Sequence, residues 1–331
     1  MRIFSGIQPT GRKHLGNYIG AITQWVAWQD RGQAIYCLVD LHAITVAYEP
    51  GGLRESVYDA AATLLAAGLD PERCVFFRQS DVPEQTELCW LLTSVTAFGD
   101  LNRMHQFKDK SASQRDLVSA GLFFYPVLMA ADVLAYRAGV VPVGEDQRQH
   151  VELMRDVAER FNARFGMTLV VPEVRTPEVG ARIMDLQHPT RKMSTTGGSE
   201  QGTVYVLDDP DTVAKKVRSA VTDSGAEVRR GPGKEGISNL IEILAAVRGS
   251  TPEEIESQFA QEGYGAFKQA VADAVVDYLV PIRERYSELR EDEAGLERVL
   301  AEGAEKARDM ASTTLRDVRT AMGVGPVRRR G

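Results

Sequence analysis

The amino-acid sequence predicts an α/β fold, in which a doubly wound parallel sheet is followed by an all-helical C-terminal domain. Short apolar runs of strand length alternate with helical patterns through the first half of the chain. The run from Ala34 to Val39 is continuously apolar, as expected for a parallel strand that is buried on both faces. From about Asp208 onward, apolar residues recur only at helical spacing. The chain therefore divides into a sheet-containing part and a helical part.

The first predicted strand, from Arg2 to Ser5, leads into a glycine-rich turn over residues 6–18. Apolar residues at helical spacing follow, so this turn joins a strand to a helix. Gly16 leaves no side chain where that helix begins, and the free N–H groups of a helix N-terminus favour an anion. His14 and Asn17 add neutral hydrogen-bond donors there. The turn predicts a phosphate site, although an ordinary strand-to-helix turn with a chance histidine fits the same pattern.

The next segments continue the alternation of strands and helices. We expect a helix from about Leu53 to Ala67, which Gly68 ends. A strand over residues 74–77 and a helix over residues 86–98 follow it. Because these connections are short, we expect the strands to be parallel, with the helices crossing over between them.

Two further features place ligands at the carboxyl end of the predicted sheet. His42 directly follows the buried strand, and open α/β sheets bind their ligands at that end. A strand over residues 140–143 leads into Gly144, which opens the next helix, with Asp146 in a capping position. A second strand-glycine-helix turn on one sheet favours a nucleotide site, and simple helix capping is the alternative.

Asp132 is the only charged residue in the apolar run from Gly121 to Tyr136. A carboxylate on so apolar a helix is costly unless it is paired or hydrogen-bonded. Met129 lies three residues earlier and projects from the same helix face. A flexible thioether beside a buried acceptor suits a flat aromatic ligand with an N–H group. The alternative is a surface aspartate, or one that is tied to Arg137.

The second half of the chain begins with a segment rich in small and polar residues. Residues 190–198 predict a mobile loop, whose Lys192 would reach phosphates when the loop closes; a linker between domains is the other interpretation. Thr251 and Glu254 form a capping box at the start of a later helix. Basic residues on the helices indicate either solvated faces or a nucleic-acid surface: Lys215, Lys216, Arg218, Lys306, Arg308, Arg316 and Arg319.

Composition restricts the class of protein. Of 331 residues, 44% are hydrophobic and 26% are charged, which is typical of a globular protein. No apolar run approaches the roughly 18 residues that span a membrane, and no secretory signal is visible. The three cysteines lack metal-ligand spacing and indicate free thiols, so we expect a cytoplasmic protein with no membrane partner. The net charge of -7 neither indicates nor excludes a nucleic-acid partner, because a local basic face suffices.

Two signatures give the sequence a family resemblance. The tetrapeptide His-Leu-Gly-Asn at 14–17 resembles the HIGH motif of class I aminoacyl-tRNA synthetases, and Lys-Met-Ser-Thr-Thr at 192–196 resembles their KMSKS motif. Further strings, at 40–45, 129–132 and 141–147, are similar to those of bacterial tryptophanyl-tRNA synthetases. The resemblance implies a Rossmann-like catalytic domain over 1–186, a mobile loop over 187–200, and a helical anticodon-binding region over 201–331. The last helix of that region would be able to pack back on the catalytic domain.

The resemblance also implies a role for each matching residue. ATP would be bound by both signatures and by the second glycine turn, through Gln8, Pro9, Thr10, His14, Gly16, Asn17, Gly144, Glu145, Asp146, Ile183, Lys192, Met193, Ser194, Thr195 and Thr196. Tryptophan would be bound through Phe4, His42, Tyr125, Met129, Asp132, Val141, Val143 and Gln147. The implied catalytic residues are His14, Asn17, Lys110 and Lys192, with Lys108 assisting at the phosphates.

The implied activity is that of a tryptophan–tRNA ligase. It would convert L-tryptophan and ATP into tryptophanyl-adenylate and pyrophosphate, and would then transfer tryptophan to tRNA(Trp). Mg²⁺ would arrive with ATP, without a protein metal site, and the family implies a homodimer. Two alternatives are a tyrosyl-tRNA synthetase of the same architecture and a non-enzymatic paralogue that binds tryptophan or nucleotide.

The sequence departs from the general motifs at two positions. Asn17 replaces the final histidine of HIGH, as is common in the tryptophan branch. Thr195 replaces the second lysine of KMSKS, which normally supplies positive charge to the leaving pyrophosphate. Arg191, Lys192 or Mg²⁺ would have to carry more of that task.

Overall fold

A computed structural model describes residues 1–107, 118–144, 147–175, 182–194 and 198–325. Its centre is one parallel sheet of five strands in the order β3-β2-β1-β4-β5. The strands are β1 Arg2–Ile7, β2 Gln33–Leu38, β3 Cys74–Arg78, β4 Val140–Pro142 and β5 Glu173–Arg175. β1 pairs with β2 on one side and with β4 on the other. The chain therefore continues from β1 towards one edge of the sheet and from β4 towards the opposite edge. This confirms the predicted doubly wound sheet and places its ligand crevice at the carboxyl ends of β1 and β4.

The helices of the first part connect these strands. The first helical segment consists of α1 Leu15–Asn17, a π-helical turn Tyr18–Ile22 and α2 Thr23–Trp28. The others are α3 Asp40–Ala43, α4 Pro50–Ala66, α5 Pro83–Thr93, α6 Phe98–Asn102, α7 Ala120–Leu134 and α8 Arg148–Phe165. Two apolar cores result, and both combine side chains from this part with side chains from the helical part.

The predicted helix over residues 86–98 is wrong, because the structure has two shorter helices there. The first, α5, begins earlier, since Pro83 occupies its first turn, where the fixed φ of proline is favourable. It ends at Thr93, and the hydroxyl groups of Ser94 and Thr96 then donate to backbone carbonyl groups of the last turn. Such side-chain bonds compete with helix continuation. The second helix, α6, starts at Phe98.

The second part is helical, as the periodicity predicts. Its helices are α9 Pro210–Arg218, α10 Glu235–Arg248, α11 Pro252–Gln258, α12 Tyr264–Glu291 and α13 Glu293–Met322. The predicted capping box opens α11: Thr251 Oγ1 accepts from the backbone N–H of Glu254 at 3.3 Å, and Glu254 Oε2 accepts from that of Thr251 at 2.8 Å. The last helix, α13, lies against β3. A Cβ atom on Gly303 would lie 1.7 Å from the carbonyl oxygen of Phe76, so only glycine permits this approach.

Candidate active site

His14, in the first predicted signature, caps the N-terminus of α1 and is almost fully buried. Its Nδ1 accepts a hydrogen bond from the backbone N–H of Asn17 at 3.2 Å, and Asn17 Oδ1 accepts one from the backbone N–H of His14 at 3.2 Å. This reciprocal pair is a capping box. Because Nδ1 is an acceptor, the proton of the neutral ring resides on Nε2, which becomes a donor.

The charge state of His14 follows from its surroundings. Its pKa is lowered from 6.5 to about 4, first by burial and then by the positive charges of Lys192 and Lys13. At neutral pH the ring is therefore an uncharged hydrogen-bond donor. The Nζ group of Lys13 donates to the carbonyl oxygens of Gln8 at 3.0 Å and Thr10 at 3.2 Å, which closes the turn beside it. Burial lowers the pKa of Lys13 to about 8.

The lowered pKa of His14 makes the free energy of unfolding depend on pH. Below about pH 6.5 the unfolded chain protonates this histidine, whereas the folded protein keeps it neutral until about pH 4. Acidification from about pH 7 to about pH 5 therefore lowers the free energy of unfolding, by about 2 kcal/mol from this group. We expect His14→Gln to lose that share of the pH dependence, measured by urea unfolding at both pH values. An identical pH dependence in both proteins would contradict this.

The second predicted signature lies against the first. The backbone N–H of Met193 donates to the carbonyl oxygen of Ile183 at 3.1 Å, and this bond holds the second signature beside Ile183. A Cβ atom on Gly16 would lie 3.4 Å from the Cβ of Ile183 and 3.2 Å from the ring of His14. The charge of Lys192 is close enough to depress the pKa of His14. The structure thus brings these residues of the two signatures to one place.

Asp185, which the sequence analysis did not single out, organises the second segment. Its Oδ1 accepts from the backbone N–H groups of Gln187 at 2.8 Å and His188 at 2.9 Å, and its Oδ2 accepts from that of Ser199 at 3.0 Å. A Cβ atom on Gly202 would lie 1.8 Å from Oδ1 of this carboxylate. The buried Asp185 therefore ties together the chain before and after the signature. An acidic residue between two apolar ones was the signal that could have revealed it.

Asp132 is 1% exposed and lies at the centre of a buried hydrogen-bond cluster. Its Oδ2 lies 2.8 Å from Nε2 of His42, and a ring nitrogen that faces a carboxylate donates to it. Its Oδ1 accepts from Nε2 of Gln79 at 2.7 Å and from Nε2 of Gln85 at 2.8 Å. Neither glutamine was predicted from the sequence as a site residue. Gln79 directly follows β3, so the rule that placed His42 after β2 could have found it.

The surface interpretation of Asp132 is wrong, and so is its pairing with Arg137. The guanidinium group of Arg137 instead donates to Oδ2 of Asp317 on α13, at 2.5 Å. Arg137 also has a positive φ of 52°, which directs the chain out of α7 towards β4. The costly carboxylate is therefore satisfied by two glutamine amides and a histidine.

Apolar and aromatic side chains surround this cluster. Phe4 is buried in β1, and Val141 is buried in the neighbouring β4. Met129 and Val143 are partly buried against the same core. The rings of His42 and Tyr125 meet edge to face, with centroids 6.2 Å apart. The Tyr125 hydroxyl group lies 2.8 Å from Nε2 of His150, a buried residue that the sequence analysis also missed. The Asp132 carboxylate therefore lies among apolar and aromatic side chains of this core.

Several predicted site residues lie outside the described part of the chain: Lys108, Lys110, Glu145, Asp146, Thr195 and Thr196. Gln147 lies at the start of α8, where its backbone N–H donates to the carbonyl oxygen of Gly144 at 3.0 Å.

Within the described ranges, no group of three or more His, Cys, Asp or Glu residues could hold a metal ion. None of the described helices is both long enough and apolar enough to cross a membrane.

The basic residues of the helical part are not uniformly solvated. Lys216 is buried, and its Nζ donates to Asp208 Oδ2 at 2.8 Å and to the carbonyl oxygen of Thr203 at 2.8 Å. The interpretation of Lys216 as a solvated or nucleic-acid-binding residue is therefore wrong. On α13, the guanidinium group of Arg319 pairs with Glu87 of α5 at 2.8 Å, so it helps to fix α13 to the sheet-containing part.

Comparison with known proteins shows the family of this chain. The family of class I tRNA synthetases for tryptophan and tyrosine matches residues 1–280. A protein of Streptomyces avermitilis named tryptophan–tRNA ligase 2 is 51% identical over 99% of this chain and 98% of its own length. The tryptophan–tRNA ligase of Corynebacterium glutamicum is 50% identical over 96% of this chain and 93% of its own length.

Solved structures show the same similarity. Tryptophanyl-tRNA synthetase from Campylobacter jejuni, in complex with ADP and tryptophan, superposes with a TM-score of 0.86 at 36% identity, over 98% of this chain and 100% of that chain. The enzyme from Mycoplasma pneumoniae gives a TM-score of 0.88 at 35% identity, over 98% of both chains. A tyrosyl-tRNA synthetase from Aeropyrum pernix, at 21% identity and a TM-score of 0.65, shares the fold over 92% of this chain and 90% of its own.

Proposed function

The chain belongs to the class I tRNA synthetases for tryptophan and tyrosine, and from that membership we propose that it is a tryptophan–tRNA ligase. The observation that carries this choice is Asp132, a buried carboxylate that is hydrogen-bonded to His42 in an otherwise apolar core and that suits the N–H group of an indole. The relatives named tryptophan–tRNA ligase, whose sequences are 51% and 50% identical over nearly all of this chain, support the choice. The enzyme activates L-tryptophan with ATP and then transfers it to tRNA(Trp).

In the first step, a carboxylate oxygen of tryptophan attacks the α-phosphorus of ATP. The new P–O bond gives tryptophanyl-adenylate, and the bond to the β-phosphate oxygen breaks to release pyrophosphate. The carboxylate is already ionised at neutral pH, so no general base is needed. Catalysis then depends on positioning the two substrates and on stabilising negative charge at the phosphates. The neutral Nε2–H donor of His14 and the ammonium group of Lys192 suit that task.

We assign the ATP side of the crevice to the two signature segments. Gln8, Pro9, Thr10, Gly16 and Asn17 line the first, and Ile183 and the residues from Lys192 to Thr196 line the second. Gly144, Glu145 and Asp146 hold the ribose and adenine side, and Lys108 and Lys110 assist at the phosphates. Mg²⁺ enters with ATP, since it binds mainly through phosphate oxygens and retained waters.

We assign the tryptophan side to the pocket around Asp132, whose Oδ2 accepts the indole N–H. Phe4, His42, Met129, Val141 and Val143 surround the ring, and Tyr125 and Gln147 face the amino group. Tyrosine has no N–H group on its ring and carries its O–H donor at a different position, so its binding leaves the remaining acceptor position of Oδ2 unpaired. The penalty for such an unpaired group is what separates the two amino acids.

The second step transfers tryptophan from the adenylate to the terminal adenosine of tRNA(Trp). We propose that the helical part contacts this tRNA, and that the enzyme acts in the cytoplasm, where its three free cysteines stay reduced. Charging of tRNA(Trp) with radioactive tryptophan tests this step, with tRNA(Tyr) as the control. Charging of tRNA(Trp) alone is expected. Adenylate formation without any charging would contradict the proposed second step.

Thr195 provides a test of charge at the leaving group. Because threonine is neutral, we expect Thr195→Lys to accelerate adenylate formation and to lower the Mg²⁺ concentration that the reaction requires. The effect should be about tenfold or more at low Mg²⁺, comparable to adding one charged donor near a phosphate. Single-turnover adenylate formation over a Mg²⁺ titration measures it. An unchanged rate across the titration would show that residue 195 does not act on pyrophosphate.

We also propose a homodimer, which an exposed aromatic surface supports. Trp90 on α5, Phe98 on α6 and Phe124 on α7 are 75%, 72% and 43% exposed. The ring of Phe123 contacts those of Phe98 and Phe124, with centroids 5.1 and 5.5 Å apart. Large exposed aromatic clusters of this kind typically mark protein interfaces. We expect the double substitution Trp90→Lys and Phe98→Lys to halve the molar mass of the protein in sedimentation. Met167→Lys, at an exposed position after α8, is the control and should leave that mass unchanged. A dimer that survives the double substitution would exclude this surface.

A further inference from the structure

Two buried glutamines donate to the same oxygen of Asp132, and neither belongs to the residues assigned above to the site. We propose that Gln85 is a positioning residue that determines specificity. Its amide fixes the Asp132 carboxylate so that Oδ2 faces the amino-acid ligand. This inference rests on the proposed function, in which Asp132 accepts the indole N–H.

The orientation follows from the number of acceptor positions. An ionised carboxylate has about four lone-pair positions, two on each oxygen. On Asp132, the two glutamine amides occupy both positions of Oδ1, at 2.7 and 2.8 Å. His42 occupies one position of Oδ2, at 2.8 Å. Rotation of the carboxylate would break both hydrogen bonds from the glutamine amides in a buried site. One acceptor position of Oδ2 therefore remains for a ligand, and its direction is fixed.

Gln85 reaches Asp132 across the contact between two helices. It lies in the first turn of α5, behind Pro83, and Asp132 lies on α7, which packs against α5. Gln85 is 0% exposed, so water does not replace the carboxylate as the hydrogen-bond partner of its amide. The rigid start of α5 thus sets the position of the amide, and the amide sets the carboxylate.

Gln85 is a cleaner probe of this role than Gln79. The Oε1 atom of Gln79 accepts from the backbone N–H of Leu41 at 3.1 Å, next to His42. Its replacement would therefore disturb the chain after β2 as well as the carboxylate. In the described part of the chain, the Nε2 group of Gln85 donates to Asp132, and the side chain makes no hydrogen bond to the backbone after β2.

A merely structural role would have a different signature. Hydrogen bonds to a buried carboxylate reduce the cost of burying it, so their loss lowers stability whichever substrate is present. A positioning role affects only the substrate that offers an N–H group. The sulfur isostere of tryptophan, 3-(benzothiophen-3-yl)alanine, has nearly the same shape but no such group. The quantity that separates the two roles is the ratio of kcat/KM for tryptophan to kcat/KM for this isostere.

The experiment measures that ratio by ATP–pyrophosphate exchange in the full chain. Gln85→Met keeps the side-chain length and removes the donor, and Gln85→Asn keeps an amide that is too short. Gln85→His restores an N–H donor of similar reach. The matched control is Gln29→Met, because Gln29 is also buried but bonds to the backbone near Gly68, outside the site.

We expect Gln85→Met and Gln85→Asn to lower the ratio about tenfold, mainly through the tryptophan KM, as for the loss of one bond to a charged group. Gln85→His should recover most of the ratio, and Gln29→Met should leave it unchanged. An unchanged ratio in both Gln85 variants, with both substrates equally affected, would overturn the inference.

The proposed role of Asp132 has its own readout in the same experiment. If Asp132→Asn lowers the ratio but the Gln85 variants do not, the acceptor is correctly assigned and only the positioning role of Gln85 fails. If the unmodified enzyme has a ratio near one, or if Asp132→Asn leaves it unchanged, the assignment of Asp132 fails and the inference fails with it.

Discussion

Asp132→Ala is expected to raise the tryptophan KM about 100-fold, because a buried acceptor for the indole N–H is lost and its three donors are left unpaired. Those donors are the side chains of His42, Gln79 and Gln85, each within 2.8 Å of the carboxylate. The ATP KM should change little, since the proposed ATP site is formed by the two signature segments. Discrimination between tryptophan and tyrosine should fall together with the affinity for tryptophan. Steady-state exchange kinetics with each amino acid measure both effects.

A control separates the pocket from general damage to the fold. Asp317→Ala makes the same change on α13, where the carboxylate pairs with Arg137 and is partly exposed. It should leave the tryptophan KM unchanged. Asp132→Asn keeps the side-chain shape and should still raise the tryptophan KM if alanine proves too destabilising. An unchanged tryptophan KM in both Asp132 variants would remove this residue from the pocket.

Lys192→Met is expected to lower the rate of adenylate formation about 100-fold to 1,000-fold, because the proposed role of Lys192 is to supply one preorganised charge at the phosphates. The tryptophan KM should stay nearly constant, since the pocket of Asp132 is unaffected. A second readout is independent of catalysis. The charge of Lys192 lowers the pKa of His14, so its removal should raise that pKa towards the ordinary value. Rapid-quench kinetics and the NMR titration of His14 measure the two effects.

Lys215→Met is the matched control, because Lys215 is an exposed lysine on α9, away from the signature segments. It should change neither the rate nor the pKa of His14. A normal rate of adenylate formation in Lys192→Met would mean that this lysine does not act on the phosphates. A shifted rate with an unshifted pKa of His14 would contradict the contact between the two signatures.

The positions of the site residues could be predicted from sequence where one rule of chain geometry applied. His42 follows β2, and the helix that begins after His14 follows β1, so parallel strands brought both to the same edge of the sheet. Asp132 was predictable for another reason, since a lone charge in an apolar helix requires partners. Its partners were not predictable, because contacts between helices depend on how α5 and α7 pack.

Other features depended on tertiary contacts that leave little trace in the sequence. Gln85 resembles any polar residue in the first turn of a helix until α5 is placed against α7. Lys216 resembles a solvated lysine until Asp208 and Thr203 are brought beside it. The apolar pattern of the sheet ends before β5, since that strand is short and its outer residues are exposed. Strand β5 is therefore visible only in the structure.

The most direct test of the proposed function is amino-acid-dependent exchange of labelled pyrophosphate into ATP. We expect exchange with tryptophan and none above background with tyrosine, because only tryptophan offers an N–H group to Asp132. Exchange with tyrosine but not tryptophan would contradict the assigned substrate. Tight tryptophan binding without any exchange would contradict the assigned chemistry, and the protein would then be a binding paralogue of the family.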